Sequence, residues 1–114
     1  MSERRVRRGV IVAKMKPGSD QKVAEIFAES DQTELPQLAG VQHRSLFVLD
    51  DVYIHYVETA EDFEMAVDEV RDHPLFKGIS KKLDDYITPY NPETWRSPKD
   101  ATAREFYTWD ADSS

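Results

Sequence analysis

Two strand-like runs meet at Asp50 and Asp51 in the stretch GVQHRSLFVLDDVYIHYVE, residues 40 to 58, and their pairing restricts the fold more than any other part of the chain. Val, Ile, Leu, Phe and Tyr crowd both runs, as expected of a pleated, half-buried surface. With Asp50 and Asp51 at the centre of a two-residue turn, Leu49 pairs with Val52 and the faces separate. One face carries Arg44, Leu46, Val48, Tyr53, His55 and Val57; the other carries His43, Ser45, Phe47, Leu49, Val52, Ile54 and Tyr56. Arg44 then opposes Val57 and Leu46 opposes His55, so Arg44 and His55 are diagonal neighbours, roughly 7–8 Å apart at the backbone. A three-residue loop shifts the register by one and separates them.

An arginine among leucine, valine and tyrosine must be paired, reach water or face a polar cavity, because an unpaired buried guanidinium costs several kcal/mol. Three readings of Arg44 and His55 follow from the pattern alone: a structural pair at a sheet edge, a contact between two copies of the chain, and an active site. Spacing does not choose among them.

The flanking segments supply the rest of one domain. VIVAKM reads as a first strand, broken at Pro17 and Gly18; Ser19 or Asp20 can cap a helix with Val23, Ile26 and Phe27 inward. That helix ends near SDQTELP, where Pro36 forbids continuation. After the hairpin, Thr59 is the expected cap of a second helix with Phe63, Ala66, Val67 and Val70 on one face, and Pro74 opens a continuation carrying Phe76, Ile79, Leu83, Tyr86 and Ile87. Thr88 to Lys99, with Pro89, Pro92 and Pro98 around Trp95, reads as a covering loop. The aromatic run REFYTW at 104–109 reads as the last strand, with residues 110–114 frayed. Strand, helix, strand, strand, helix, strand is an α+β arrangement: a ferredoxin-like βαββαβ sandwich of the dimeric α/β-barrel type. Helices cover one sheet face, and a second copy of the chain is the economical cover for the other.

Composition narrows the partners. The 114 residues suit a single domain over 1–114, and 22 acidic against 15 basic side chains, net −7, argue against nucleic acid. The basic ERRVRRG at 3–9 runs directly into the first strand and reads as a solvated strand end. No cysteine is present, so disulfides and thiolate chemistry are out. No stretch reads as a signal peptide or membrane span, and the expected location is the cytoplasm. Three histidines without helical ligand spacing and no glycine-rich phosphate loop imply neither metal nor nucleotide cofactor.

Taken together, SDQTELPQLAGVQHRSLFVLDDVYIHYVE, DHPLF, ITPY, Trp95 and EFYTW resemble, in order and spacing, the tetracenomycin-type aromatic polyketide cyclases of bacterial type II polyketide pathways. The likeness spans nearly the whole chain. It implies a homodimer that closes rings in poly-β-ketone or partly cyclised aromatic intermediates without a cofactor, working beside an acyl carrier protein and other synthase components. Its polar pocket groups fall on Asp31, Arg44 and His55 as catalytic candidates, with Ser30, Tyr53 and Trp95 as contacts to substrate. Members of that family similar to the tetracenomycin enzyme carry histidine just before the aspartate, where this chain has Ser30.

These residue types suit ring closure. Arg44, always cationic, can hold an enolate or phenolate oxygen. His55, with an ordinary pKa near neutrality, can give and take protons, and Asp31 can orient it or act as base. His43, on the other strand face, reads as a contact between copies, and His73, before Pro74, as part of a helix start. A cofactor-free oxygenase on a related substrate and a non-catalytic aromatic-binding module are the rival functions; oxygen uptake distinguishes the first and turnover the second.

Overall fold

The computed structural model describes residues 7–93 and 98–111. Its elements are β1 (Arg7–Met15), α1 (Asp20–Ser30), α2 (Leu35–Ala39), β2 (Val41–Leu49), β3 (Val52–Thr59), α3 (Phe63–Val70), α4 (Pro74–Leu83), β4 (Ile87–Pro89) and a 3-10 turn at Pro98–Ala101. The strands form one antiparallel sheet in the order β2-β3-β1-β4. This is the ferredoxin-like α+β arrangement.

Alternation in β1 and β3 decides where the core lies. Ile11, Ala13 and Met15 of β1 and Tyr53, His55, Val57 and Thr59 of β3 are buried under the helices. Val23 and Phe27 of α1 complete the central cluster, against which Leu46, Ile79, Leu83, Tyr86 and Ile87 pack. From α3, Ala66, Val67 and Val70 are buried; the side chain of Phe63, assigned to the same face, lies outside those described. The sheet's other face is open: Val10, Val12 and Ile54 are half-buried there, and Phe47 and Leu49 are 56% and 72% exposed.

The hairpin register is the expected one, with Leu49↔Val52, Leu46↔His55 and Arg44↔Val57, and one irregularity between Val41 and His43. Asp50 takes φ 55°, a left-handed value that aspartate tolerates better than bulky residues. Upstream, α1 stops at Ser30, and Pro36 opens the short α2 in its first turn. Gly40, at φ 71°, ends α2 and accepts a hydrogen bond from the Ala60 N–H at 2.9 Å, tying the start of β2 to the end of β3.

Local expectations fail in two places. Ser19 occupies the N-cap of α1 without a side-chain cap bond, and Thr59 is the last residue of β3, its buried hydroxyl donating to the Glu61 carbonyl, so α3 begins only at Phe63. The final strand also moves. REFYTW forms no strand; β4 is Ile87–Pro89, pairing Met15↔Ile87 and Ala13↔Pro89. The α4 stripe ends at Leu83, and the Lys16 N–H takes the Tyr86 carbonyl at 2.9 Å, delivering the chain to the free edge of β1. Proline is tolerated there because an edge strand spares one N–H. Residues 102–103 touch the same edge through the bridge Ile11↔Thr102 and the Ala103 N–H to the Val10 carbonyl, 2.7 Å, after which pairing stops. Arg8 then bonds Glu105 and Thr108, both at 3.1 Å, while Phe106, Tyr107 and Trp109 stay exposed. Aromatic content alone does not make a strand: the chain leaves the edge of β1 after Ala103 although its next residues are strand-like.

Candidate active site

The period-two geometry of the hairpin puts Arg44 of β2 and His55 of β3 on the helix-covered face, and α1 brings them a carboxylate. Phe27 and Asp31 lie one helical turn apart, with the Asp31 N–H bonded to the Phe27 carbonyl at 2.8 Å, so both project from the end of α1 toward Arg44. The Arg44 guanidinium meets Asp31 through two bonds, Nε to Oδ2 at 3.1 Å and Nη2 to Oδ1 at 2.8 Å. Its Nη1 donates to Nε2 of His55 at 3.0 Å. Phe27 packs under both: the guanidinium carbon is 5.0 Å from its ring centre, and the His55 ring stands edge-on at 5.1 Å.

These contacts determine the state of each group. An arginine only donates, so Nε2 of His55 accepts and the proton of the neutral ring sits on Nδ1. His55 is buried, and burial first and the Arg44 charge second push its pKa down to about 3. Burial and the neighbouring charge thus favour the neutral ring, whose Nε2 accepts from the guanidinium, over the near-neutral titration expected from residue type. Arg44 has five N–H donors and spends three here, leaving two. Asp31 is the water-facing member of the trio, its side chain 39% exposed against 17% for Arg44.

A cleft of about 390 Å³ opens between α1 and the hairpin, lined by neighbours of His55 rather than by the trio itself. Met15, Val23, Ala24, Leu46 and Val48 give it apolar walls, Asp20 and Gln21 stand on α1, and Tyr53 contributes from β3. Leu46 and Tyr53 flank His55, one opposite it in the ladder and the other two residues before it with rings 6.4 Å apart. Among the described residues no three His, Cys, Asp or Glu side chains gather to hold a metal ion, and no helix is long and apolar enough to cross a membrane.

The remaining sequence candidates are placed as follows. Ser30 ends α1, and its carbonyl accepts from the Thr33 hydroxyl at 2.6 Å, fixing the turn that presents Asp31. Trp95 lies outside the described residues. His43 is on the open sheet face, bonded to the Ser45 hydroxyl at 2.9 Å. His73 caps α4, its Nδ1 accepting from the Leu75 N–H at 3.1 Å. Sequence reasoning placed Phe27 only in the core and missed its seat beneath the charged group; its i, i+4 spacing to Asp31 was the available signal.

Known proteins resemble the chain over almost its full length. The profile of a polyketide synthesis cyclase family matches residues 7–110. Polyketide synthase CurG of Streptomyces cyaneus is 46% identical over 103 residues, covering 90% of this chain and 96% of that protein. Tetracenomycin F2 cyclase of Streptomyces glaucescens is 39% identical over 107 residues, covering 94% and 97%. The solved structure of that cyclase, described as a type II polyketide cyclase, superposes with a TM-score of 0.85 over 93% of this chain and 99% of the other.

Proposed function

The chain belongs to the polyketide synthesis cyclase family, and from that premise we propose that it closes a ring in an aromatic polyketide intermediate by aldol-type addition and dehydration, without a metal or organic cofactor. The observation that carries this reading is a guanidinium fixed by Asp31 and His55, with two N–H donors to spare, on the same sheet face as a largely apolar cleft whose wall residues Leu46 and Tyr53 flank His55.

A methylene between two ketones is already an acidic carbon, so alignment is the larger task. Holding it against the correct carbonyl is worth about 7–11 kcal/mol in well-oriented intramolecular reactions. Asp31, water-facing and anchored, takes the methylene proton. The enolate carbon attacks the carbonyl, a carbon–carbon bond forms, and the carbonyl π pair moves onto oxygen. The two spare Arg44 donors receive that oxyanion where its charge develops. Asp31 returns the proton to it, and loss of water then aromatises the ring. His55 holds Arg44 in position and stays neutral throughout.

Purified protein given a poly-β-ketone or partly cyclised aromatic intermediate should convert it to a product one water lighter, without consuming oxygen and after treatment with EDTA. Oxygen uptake would identify the oxygenase instead. Stoichiometric binding that leaves the cyclisation rate and product ratio of the free compound unchanged would identify a binding module. The working assembly in this proposal is a homodimer.

A further inference from the structure

Tyr53 combines three properties that packing alone does not account for. Its side chain is buried, at 4% exposure, and it lines the cleft. Among the described residues none hydrogen-bonds its hydroxyl. Yet no fully buried side-chain polar atom among them is left without a partner. A ring sealed in the core with its hydroxyl open onto the cleft satisfies all three.

A buried phenol serving the fold normally finds a protein acceptor. Even the half-buried Tyr56, three residues along β3 on the opposite sheet face, does so, donating to Glu58 at 2.6 Å. Tyr53 does not, and phenylalanine would pack as well there. Its hydroxyl stays protonated across any working pH, because burial raises its pKa and the opposing influence of Arg44 is the smaller one. The cleft therefore presents a neutral donor among apolar walls, in the manner of small-molecule sites that use few polar groups for orientation.

Position along β3 gives this donor a task distinct from that of Arg44. Tyr53 precedes His55 by two residues on the same face, whereas Arg44 stands across from Val57, two residues beyond it. The two polar stations thus lie on opposite sides of His55. We propose that Tyr53 sets regiochemistry by binding a keto or phenolic oxygen of the substrate remote from the reacting carbonyl, so that a poly-oxygenated ligand is held at two points. This rests on the cyclase reading and adds to it which oxygen is recognised besides the reacting one.

The test compares wild type with Tyr53→Phe, using 1,3-dihydroxynaphthalene and naphthalene as binding probes and a poly-β-ketone intermediate as substrate. Loss of the hydroxyl should weaken dihydroxynaphthalene binding about three- to tenfold, the range of one neutral hydrogen bond. Naphthalene affinity and Tm should not change, since no protein partner is lost. The proportion of correctly closed product over spontaneous by-products should fall by a similar factor. Equal probe affinity and an equal product ratio in the two proteins, with wild type active, overturn the assignment of Tyr53 and leave the cyclase reading intact. A drop in Tm with naphthalene binding also weakened overturns it in favour of a structural hydroxyl. Wild type that neither binds nor converts any of these compounds removes the cyclase reading and this inference with it.

Discussion

Arg44 is the residue on which the other polar groups depend, since it bonds Asp31 twice and His55 once. Arg44→Ala should lower kcat/KM about 10²–10³-fold at every pH, the typical loss of an oxyanion donor. It should also cost about 1–3 kcal/mol of stability, because Asp31 and His55 lose their partner; rates and thermal midpoints measured together check both. Arg44→Lys should recover stability more than rate, because an ammonium is a point charge without the planar fork that engages both carboxylate oxygens. His55 makes a different forecast. Its folded pKa, about 3, lies below the ordinary 6.5, so the unfolded chain binds the extra proton between those values. The stability it contributes is therefore fully present above about pH 6.5 and is lost as pH falls toward 3. Urea midpoints should decline over that window, and His55→Gln, which keeps an acceptor for Arg44 but does not titrate, should flatten the decline. An unchanged slope in the variant would show that His55 is not held neutral. The lowered pKa of His55 was not legible from residue types: a histidine's pKa depends on which nitrogen is occupied and by what, and the pattern of apolar neighbours does not carry that.

The hairpin was the legible element, because its side-chain period is two and its turn has a fixed length. Once Asp50 and Asp51 are the turn, every facing pair follows, and Arg44 and His55 meet as expected. Asp31 came from the resemblance rather than from spacing, since its approach depends on α1 ending at Ser30 and packing through Val23 and Phe27. The last strand differs for the opposite reason: REFYTW has strand-like composition, but the edge of β1 at Ala13–Met15 is taken by Ile87–Pro89, three residues whose role is set by where α4 releases the chain, and the later segment meets that edge only at Thr102 and Ala103. Local propensity loses to available edge. The turn itself offers a test. Asp50 sits at φ 55°, so Asp50→Gly should be neutral or slightly stabilising, whereas Asp50→Val should cost about 1–2 kcal/mol from the β-branched clash in that region. Because the register of Arg44 against His55 hangs on this turn, the valine variant should also lose turnover beyond its loss of folded protein. Chemical denaturation beside steady-state rates separates the two effects.

For the whole molecule, the open sheet face points to a partner. Phe47 and Leu49 project into solvent there beside the half-buried Val10, Val12 and Ile54. Contiguous apolar surface of this kind marks an interaction site, and a closed homodimer is the commonest way for a soluble chain to cover it. Charge does not oppose this: beside its apolar residues the face carries Arg8 and Lys14 as well as Glu58, so charges of both signs are present on it. Light scattering at micromolar concentration should therefore give about twice the 13.2 kDa of one chain. Phe47→Glu, which places a charge on the exposed apolar part of that face along the edge strand β2, should shift the mass toward the monomer while leaving the buried core of β1, β3 and α1 in place. The two sites then report on each other. Phe47 also lines the cleft that holds Tyr53, so a monomeric Phe47→Glu protein should bind aromatic probes more weakly, whereas Leu49→Glu, on the same open face but away from the cleft, should dissociate the dimer and change probe affinity less. A wild-type mass of one chain would show that the open face serves something other than a second copy.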